Sequence, residues 1–132
     1  MPTPPPPSPV AAPPAAALAA LPAWAESLPL AITVCDRAGV VVAMNARAAE
    51  TFARDGGRGL VGRSLFSCHP ERASAVIRRL LAEGGSNSYT IEKKGVKKLI
   101  HQAPWCEHGE VAGLVELSLV LPADLPHFVR QG

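Results

Sequence analysis

His69 is the residue whose chemistry stands out. It lies in the step Cys68-His69-Pro70-Glu71, with Ser74 three residues on, just ahead of a run with one-sided apolar spacing. A neutral imidazole at a helix start can aim a ring nitrogen into the space between helix and sheet and bind an iron there. The same position lets that ring, or the hydroxyl of Ser67, satisfy the free N–H groups of the first helical turn. Cys68 offers a thiolate as a second candidate iron ligand. Neighbours on a chain point apart, however, and a buried inert thiol is the plainer reading. His101 and Gln102 fall mid-strand, so they face opposite sides of a sheet. Whichever faces the helices can bond the polar edge of a bound molecule, or can be a satisfied core group. Lys93, Lys94, Lys97 and Lys98 surround Gly95. Four cations so close can hold a phosphate or a propionate, but such a cluster more plainly marks a solvated hairpin tip that blunts a strand edge.

Catalytic patterns are missing. The chain has no G-x-S-x-G, H-E-x-x-H or P-loop step, and its Asp and Glu residues are scattered. An enzyme is not expected. Nor is flavin photochemistry, since the motif N-C-R-F-L-Q is absent. Cys35, Cys68 and Cys106 form an odd set without CxxC spacing, which argues against a disulfide framework or structural zinc and fits a reducing cytoplasm. Cys35 reads as core and Cys106 as exposed and oxidisable.

The elements that must position these residues follow from pattern. Ala31–Asp36 and Val40–Met44 are strands joined by the Gly39 turn, and the unbroken apolar run of the second implies cover on both faces. Asn45 is a good N-cap for a helix over Ala46–Arg54, ended by Asp55-Gly56-Gly57. A short turn around Leu60-Val61 follows. Pro70 opens the best-delimited helix, with Val76, Ile77, Leu80 and Leu81 as its stripe and Gly84-Gly85 as its stop. Ser88–Glu92, Val96–Trp105 and Val111–Leu121 are strands separated by tight turns, an antiparallel meander. The fold class is therefore α+β, a five-stranded antiparallel sheet with short helices on one face.

Length and composition agree. The 132 residues suit one domain with a modest core. Nine of the fourteen prolines lie in residues 1–28, a Pro/Ala-rich segment expected to be a flexible tail with a short helix near 22–28 around Trp24. A Pro-rich ligand for an SH3-like groove is the lesser reading of that tail. Residues 29–122 form the domain, and 123–132 a C-terminal tail. The net charge of +2 and 5 % aromatic content do not suit nucleic-acid binding. Prolines exclude a membrane helix from the uncharged start, and nothing before Arg37 is basic, as a secretory signal would require.

Over residues 29–121 the chain resembles a PAS domain. The resemblance rests on Ala31–Asp36, Gly39, Met44-Asn45, Leu60-Val61-Gly62-Arg63 and the Gly109…Gly113 strand, in that order and spacing. The Cys68-His69-Pro70-Glu71…Ser74 step is similar to one in PAS domains beside hemerythrin-like modules, and to one in haem-binding PAS domains of carbon-monoxide-responsive bacterial regulators. The resemblance implies haem as a candidate cofactor with His69 as its metal ligand. The distal Cys and Met ligands of those regulators have no counterpart near Tyr89–Ile91. The candidate cofactor contacts are His69, Cys68, Met44, Tyr89 and His101. The implied function is a cytoplasmic bacterial sensor that binds a small molecule and signals as a homodimer or through a separate signalling protein. The alternative is a ligand-free dimerisation module. Trp24 and Trp105 read as core or dimer contacts rather than ligand-stacking platforms.

Overall fold

The computed structural model describes residues 20–67 and 69–132. The first nineteen residues of the tail expected over residues 1–28, and Cys68, lie outside the described residues.

Helix α1, Ala23–Glu26, precedes strands β1, Ala31–Asp36, and β2, Val41–Met44. Asp36 shapes the turn between the strands. Its Oδ1 accepts from the backbone N–H of Ala38 at 2.9 Å and of Val40 at 3.0 Å, the Asx geometry that makes Asp a turn residue. Gly39 follows with φ 81°, and the ring of Phe66 occupies the place where a side chain would stand. Arg78 lies over the same ring, 4.5 Å from its centre.

Helix α2 spans Ala46–Thr51, shorter than the expected run to Arg54. The chain tightens into a 3-10 turn over Ala53–Asp55, and Gly56 at φ 115° closes it. The N–H of Gly57 bonds the carbonyl of Phe52 at 2.9 Å and that of Gly56 bonds Ala53 at 3.3 Å, the paired reverse bonds of a glycine helix stop. Phe52 thereby packs on the cluster of Ala31, Val41, Met44 and Ala48. Two more 3-10 turns, Gly57–Leu60 and Leu65–Ser67, lead to α3, Glu71–Glu83. Pro70 caps α3 rather than opening it. Ser74, Ile77 and Leu80 are its buried face, as the one-sided stripe implies.

Strands β3, Asn87–Lys93, β4, Val96–Glu107, and β5, Glu110–Leu121, form the meander. Lys94 and Gly95, then His108 and Gly109, supply the two consecutive positive φ angles of tight hairpin turns. The sheet order is β2-β1-β5-β4-β3, with every pair antiparallel. The expected α+β sheet is thus present, and pairing of β1 with β5 places the first hairpin beside the last strand. Although β2 is an edge, all four of its residues are buried. The segment after α2 covers that edge: Val41 N–H bonds Arg63 O at 2.9 Å and Gly62 N–H bonds Val41 O at 2.7 Å. An otherwise open row of backbone groups is closed without a sixth strand.

Trp105 crosses over Gly113, its partner on β5, and its indole N–H donates to the carbonyl of Cys35 at 2.9 Å. Trp24 has no core role and is 69 % exposed.

Candidate functional site

Between the 3-10 turns, α3 and the β2-β1-β5 half of the sheet lies a cavity of about 150 Å³. Thr33 and Cys35 from β1, Val41 and Met44 from β2, and Leu114 and Glu116 from β5 form its floor. Phe52, Leu60, Leu65, His69 and Ile77 form its roof, with Asp55, Arg63 and Ser64 completing the wall. The floor is a consequence of strand alternation. Thr33 pairs with Glu116 and Cys35 with Leu114, so their side chains share one face of the sheet. The roof is short turns because glycines at 56, 57 and 62, all with positive φ, prevent a longer helix there.

Polar groups cross this floor in a row. Asn87 Nδ2 donates to Gln102 Oε1 at 3.0 Å, and Gln102 Nε2 donates to Glu116 Oε2 at 2.8 Å. Next to Glu116 stands Thr33, 8 % exposed, whose hydroxyl has no hydrogen-bond partner. Burying a hydroxyl unpaired costs on the order of 1–3 kcal/mol.

The structure brings two of the expected residues to this cavity and leaves two away from it. His69 lies at the roof, with its Nδ1 2.8 Å from the carbonyl oxygen of Leu65. A proton on Nδ1 donated to that carbonyl leaves Nε2 as the acceptor nitrogen, the arrangement metal-ligating histidines usually show. Met44 lies at the floor, fully buried. His101 does not reach the cavity. Alternation from Gln102 puts it on the other face, where its Nδ1 pairs with the Ser88 hydroxyl at 2.6 Å. Gln102 is the inward residue of the two, 5 % exposed. Tyr89 is on the cavity side of the sheet but past the end of the cavity, and 43 % exposed. Partial burial, then the charge of Glu116, raises its phenol above the ordinary value. The lysine cluster lies at the β3–β4 hairpin, with Glu92 opposite Lys97.

Metal chemistry has little to draw on. Among the described residues no three His, Cys, Asp or Glu side chains gather where they could share an ion. Burial pushes the Cys35 thiol up to about 11, with smaller upward pushes from Asp36 and Glu116, so it stays protonated near neutral pH. Haem needs more room than this cavity has. A volume near 150 Å³ is that of a dry cavity that takes benzene, whereas pockets for drug-sized ligands run to roughly 300–1,000 Å³. The residues therefore do not fit a porphyrin in this form, despite the suitable setting of His69.

Sequence reasoning passed over Thr33 and Glu116. One signal was there: Glu116 is the only charge inside the apolar run Val111–Leu121. It stands two residues from the inward Leu114 and two from the inward Ser118.

Solved structures with similar folds share little sequence with the chain. The VqmA–ligand–DNA complex from Vibrio cholera superposes with a TM-score of 0.61 at 18 % identity, over 74 % of this chain and 49 % of that one. A sensory box sensor histidine kinase from Vibrio cholerae gives 0.54 at 17 % identity, over 72 % and 84 %. The Aer2 receptor from Vibrio cholerae, described as a dual PAS-heme oxygen sensor, gives 0.54 at 12 % identity, over 70 % and 95 %. The chain spans about half the length of the VqmA chain it matches. No curated protein sequence matches it. Residues 25–121 match the family described as PAS fold, a span that holds every strand, helices α2 and α3 and the whole cavity wall, and the chain belongs to that family.

Proposed function

We propose that the chain is a sensory module. It holds a small molecule between its short helices and its sheet, and it signals by changing how that sheet meets a second copy or a separate signalling protein. The observation that carries this reading is the cavity itself: apolar for most of its wall, yet floored by a carboxylate and an unpaired buried hydroxyl. Such a pair costs a packed core free energy, whereas a ligand site needs a few placed polar groups in an apolar pocket. The outcome surface is the other face of the sheet. Val34, Val115, Leu117 and Leu119 alternate with the cavity floor and are each partly exposed. That apolar face suits a partner sheet or a second copy. No catalytic residue is assigned.

Two findings support haem as a second reading: the setting of His69 and the fold likeness to a haem-binding PAS receptor. The volume stands against it. Native mass spectrometry of the freshly isolated full chain separates the readings, because it reports bound mass and oligomeric state together. The expected result is a dimer carrying a ligand of about six to ten non-hydrogen atoms. A stoichiometric haem adduct, with a Soret band lost in His69→Ala, would replace the first reading with the second. A bare dimer that takes up no small aromatic compound on incubation would leave the ligand-free dimerisation module.

A further inference from the structure

The structure assigns to Thr33 and Glu116 the recognition of a hydroxyl group on the bound molecule. We infer that the ligand is a small, uncharged, hydroxyl-bearing ring compound, an inference that rests on the ligand-binding reading above. Thr33 and Glu116 are direct cross-strand partners on β1 and β5, so their side chains stand side by side on the cavity floor. Gln102 holds one oxygen of Glu116 at 2.8 Å, which fixes the carboxylate's orientation. The Thr33 hydroxyl, nine-tenths buried, has no partner, and among the described residues Gln102 is the donor seen on Glu116, at its Oε2 alone.

The two groups are complementary in one respect. A carboxylate oxygen only accepts, while a threonine hydroxyl can donate. A ligand hydroxyl placed between them gives its proton to Glu116 and accepts one from Thr33. A group that only accepts would leave Glu116 unsatisfied and bring two electron-rich oxygens together. A ligand carboxylate would add a like charge beside Glu116, with Asp55 also on the wall. Arg63 is the one Arg or Lys among the described wall residues, and it is exposed. The rest of the ligand meets Met44, Phe52 and Ile77, and about 150 Å³ limits it to one ring with small substituents.

Phenol, toluene and benzoate are matched probes. Phenol and toluene have one shape and differ in the hydroxyl, and benzoate carries the excluded charge. Titration of the full chain, followed by amide chemical shifts, should give phenol at least about tenfold higher affinity than toluene, because a hydrogen bond to a charged group is involved. Benzoate should not compete. Thr33→Val preserves shape and removes only the hydroxyl, and Glu116→Gln removes only the charge. Each should bring the phenol-to-toluene ratio towards one, with circular dichroism confirming the fold. Equal binding of phenol and toluene by the unaltered chain, or tighter binding of benzoate, would overturn the hydroxyl assignment and leave the cavity reading standing. Binding of none of the three would overturn both.

Discussion

Removing the Asn45 side chain tests how the domain holds its cavity together. Asn45 is fully buried and uses every hydrogen-bonding position of its amide. Its Oδ1 accepts from Ile32 N–H at 3.0 Å and from Ala48 N–H at 2.9 Å. Its Nδ2 donates to the carbonyls of Ala25 at 3.0 Å and Leu30 at 2.7 Å. One side chain therefore caps α2, continues the backbone pairing of β1, and ties α1 to the sheet. In Asn45→Ala the lost cap alone costs about 1 kcal/mol. Three further backbone groups lose their partner, at roughly 1 kcal/mol each where water can reach them and more where it cannot. The expected destabilisation is about 3–5 kcal/mol, a large share of the roughly 5–15 kcal/mol that holds a small domain together. Urea unfolding followed by far-ultraviolet circular dichroism measures it. At about 4–8 °C per kcal/mol, the melting temperature should fall by at least about 12 °C. Asn45→Asp is the discriminating control. It keeps the acceptor for Ile32 and Ala48 but sets a carboxylate oxygen against the carbonyls of Ala25 and Leu30, so the α2 cap survives while α1 is released. Amide exchange should then rise over Ala23–Ser27 and stay low over Ala46–Thr51. A loss below about 1 kcal/mol in Asn45→Ala would refute the clamp, because it would mean the four bonds are replaced by water at no cost.

Gly113→Ala places a methyl group against the Cys35 carbonyl and the Trp105 indole nitrogen; the variant should lose the Trp105 bond and at least about 3 kcal/mol, read by denaturant melts. Stability should fall at alkaline pH through Cys35. Its thiol ionises near 9.0 in the unfolded chain and near 11 in the folded one, so its contribution is present below pH 9 and is lost as pH rises through 9 to 11. The loss amounts to about 2–3 kcal/mol and should be absent from the difference profile of Cys35→Ala. With a thiol reagent at pH 8, peptide mapping should find Cys106, which is exposed, modified well before Cys35, which is buried. Ile77→Ala should cost about 2–4 kcal/mol and enlarge the cavity roof, and a para-alkyl phenol should restore part of that loss in a melting assay.

Much of the scaffold could be read from residue types because local rules govern it. The Lys94-Gly95 and His108-Gly109 turns, the Asn45 cap, the α3 stripe and the burial of both faces of Val41–Met44 all depend on neighbours within a few positions. The structure departs from those rules where distant contacts decide. Helix α2 stops at Thr51 because Phe52 is drawn into the cluster of Ala31, Val41 and Met44. His101 and Gln102 are both polar, so only the register against Glu116 and Asn87 shows which one faces inward. Trp105 reads as an aromatic core or dimer residue, and its bond to Cys35 exists because Gly113 leaves the space. The cavity follows the same division. His69 and Met44 were visible as ring and thioether beside the family's landmarks. Thr33 and Glu116 meet only through pairing of the first strand with the last, eighty-odd residues apart, which no local pattern encodes.

That division also bears on how a ligand could alter the domain. The floor of the cavity belongs to one sheet, in which each strand is hydrogen-bonded to the next from β2 to β3. The roof between Phe52 and His69 consists of single 3-10 turns, tied to β2 by a few bonds and to the floor by Phe52, Leu60 and Leu65. Short 3-10 segments have poorer hydrogen-bond geometry and belong to the less stable part of a fold. A ligand touching both layers binds the closed roof and loses its partners when the roof opens, so its whole binding energy favours the closed form. At a hundredfold excess over its dissociation constant that shift is about 2.7 kcal/mol, comparable to the cost of opening a segment of this kind. Closing the roof also fixes the strand of residues that cover the β2 edge, because Arg63 and Gly62, which bond Val41, lie in the same segment as Leu60 and Leu65. On the proposed ligand-binding reading, cavity occupancy and protection of that sheet edge form one equilibrium, and hydrogen exchange at Val41 and Gly62 should slow together with exchange in the roof when phenol is added. Slowing confined to the roof would separate the two and remove the edge from the signal.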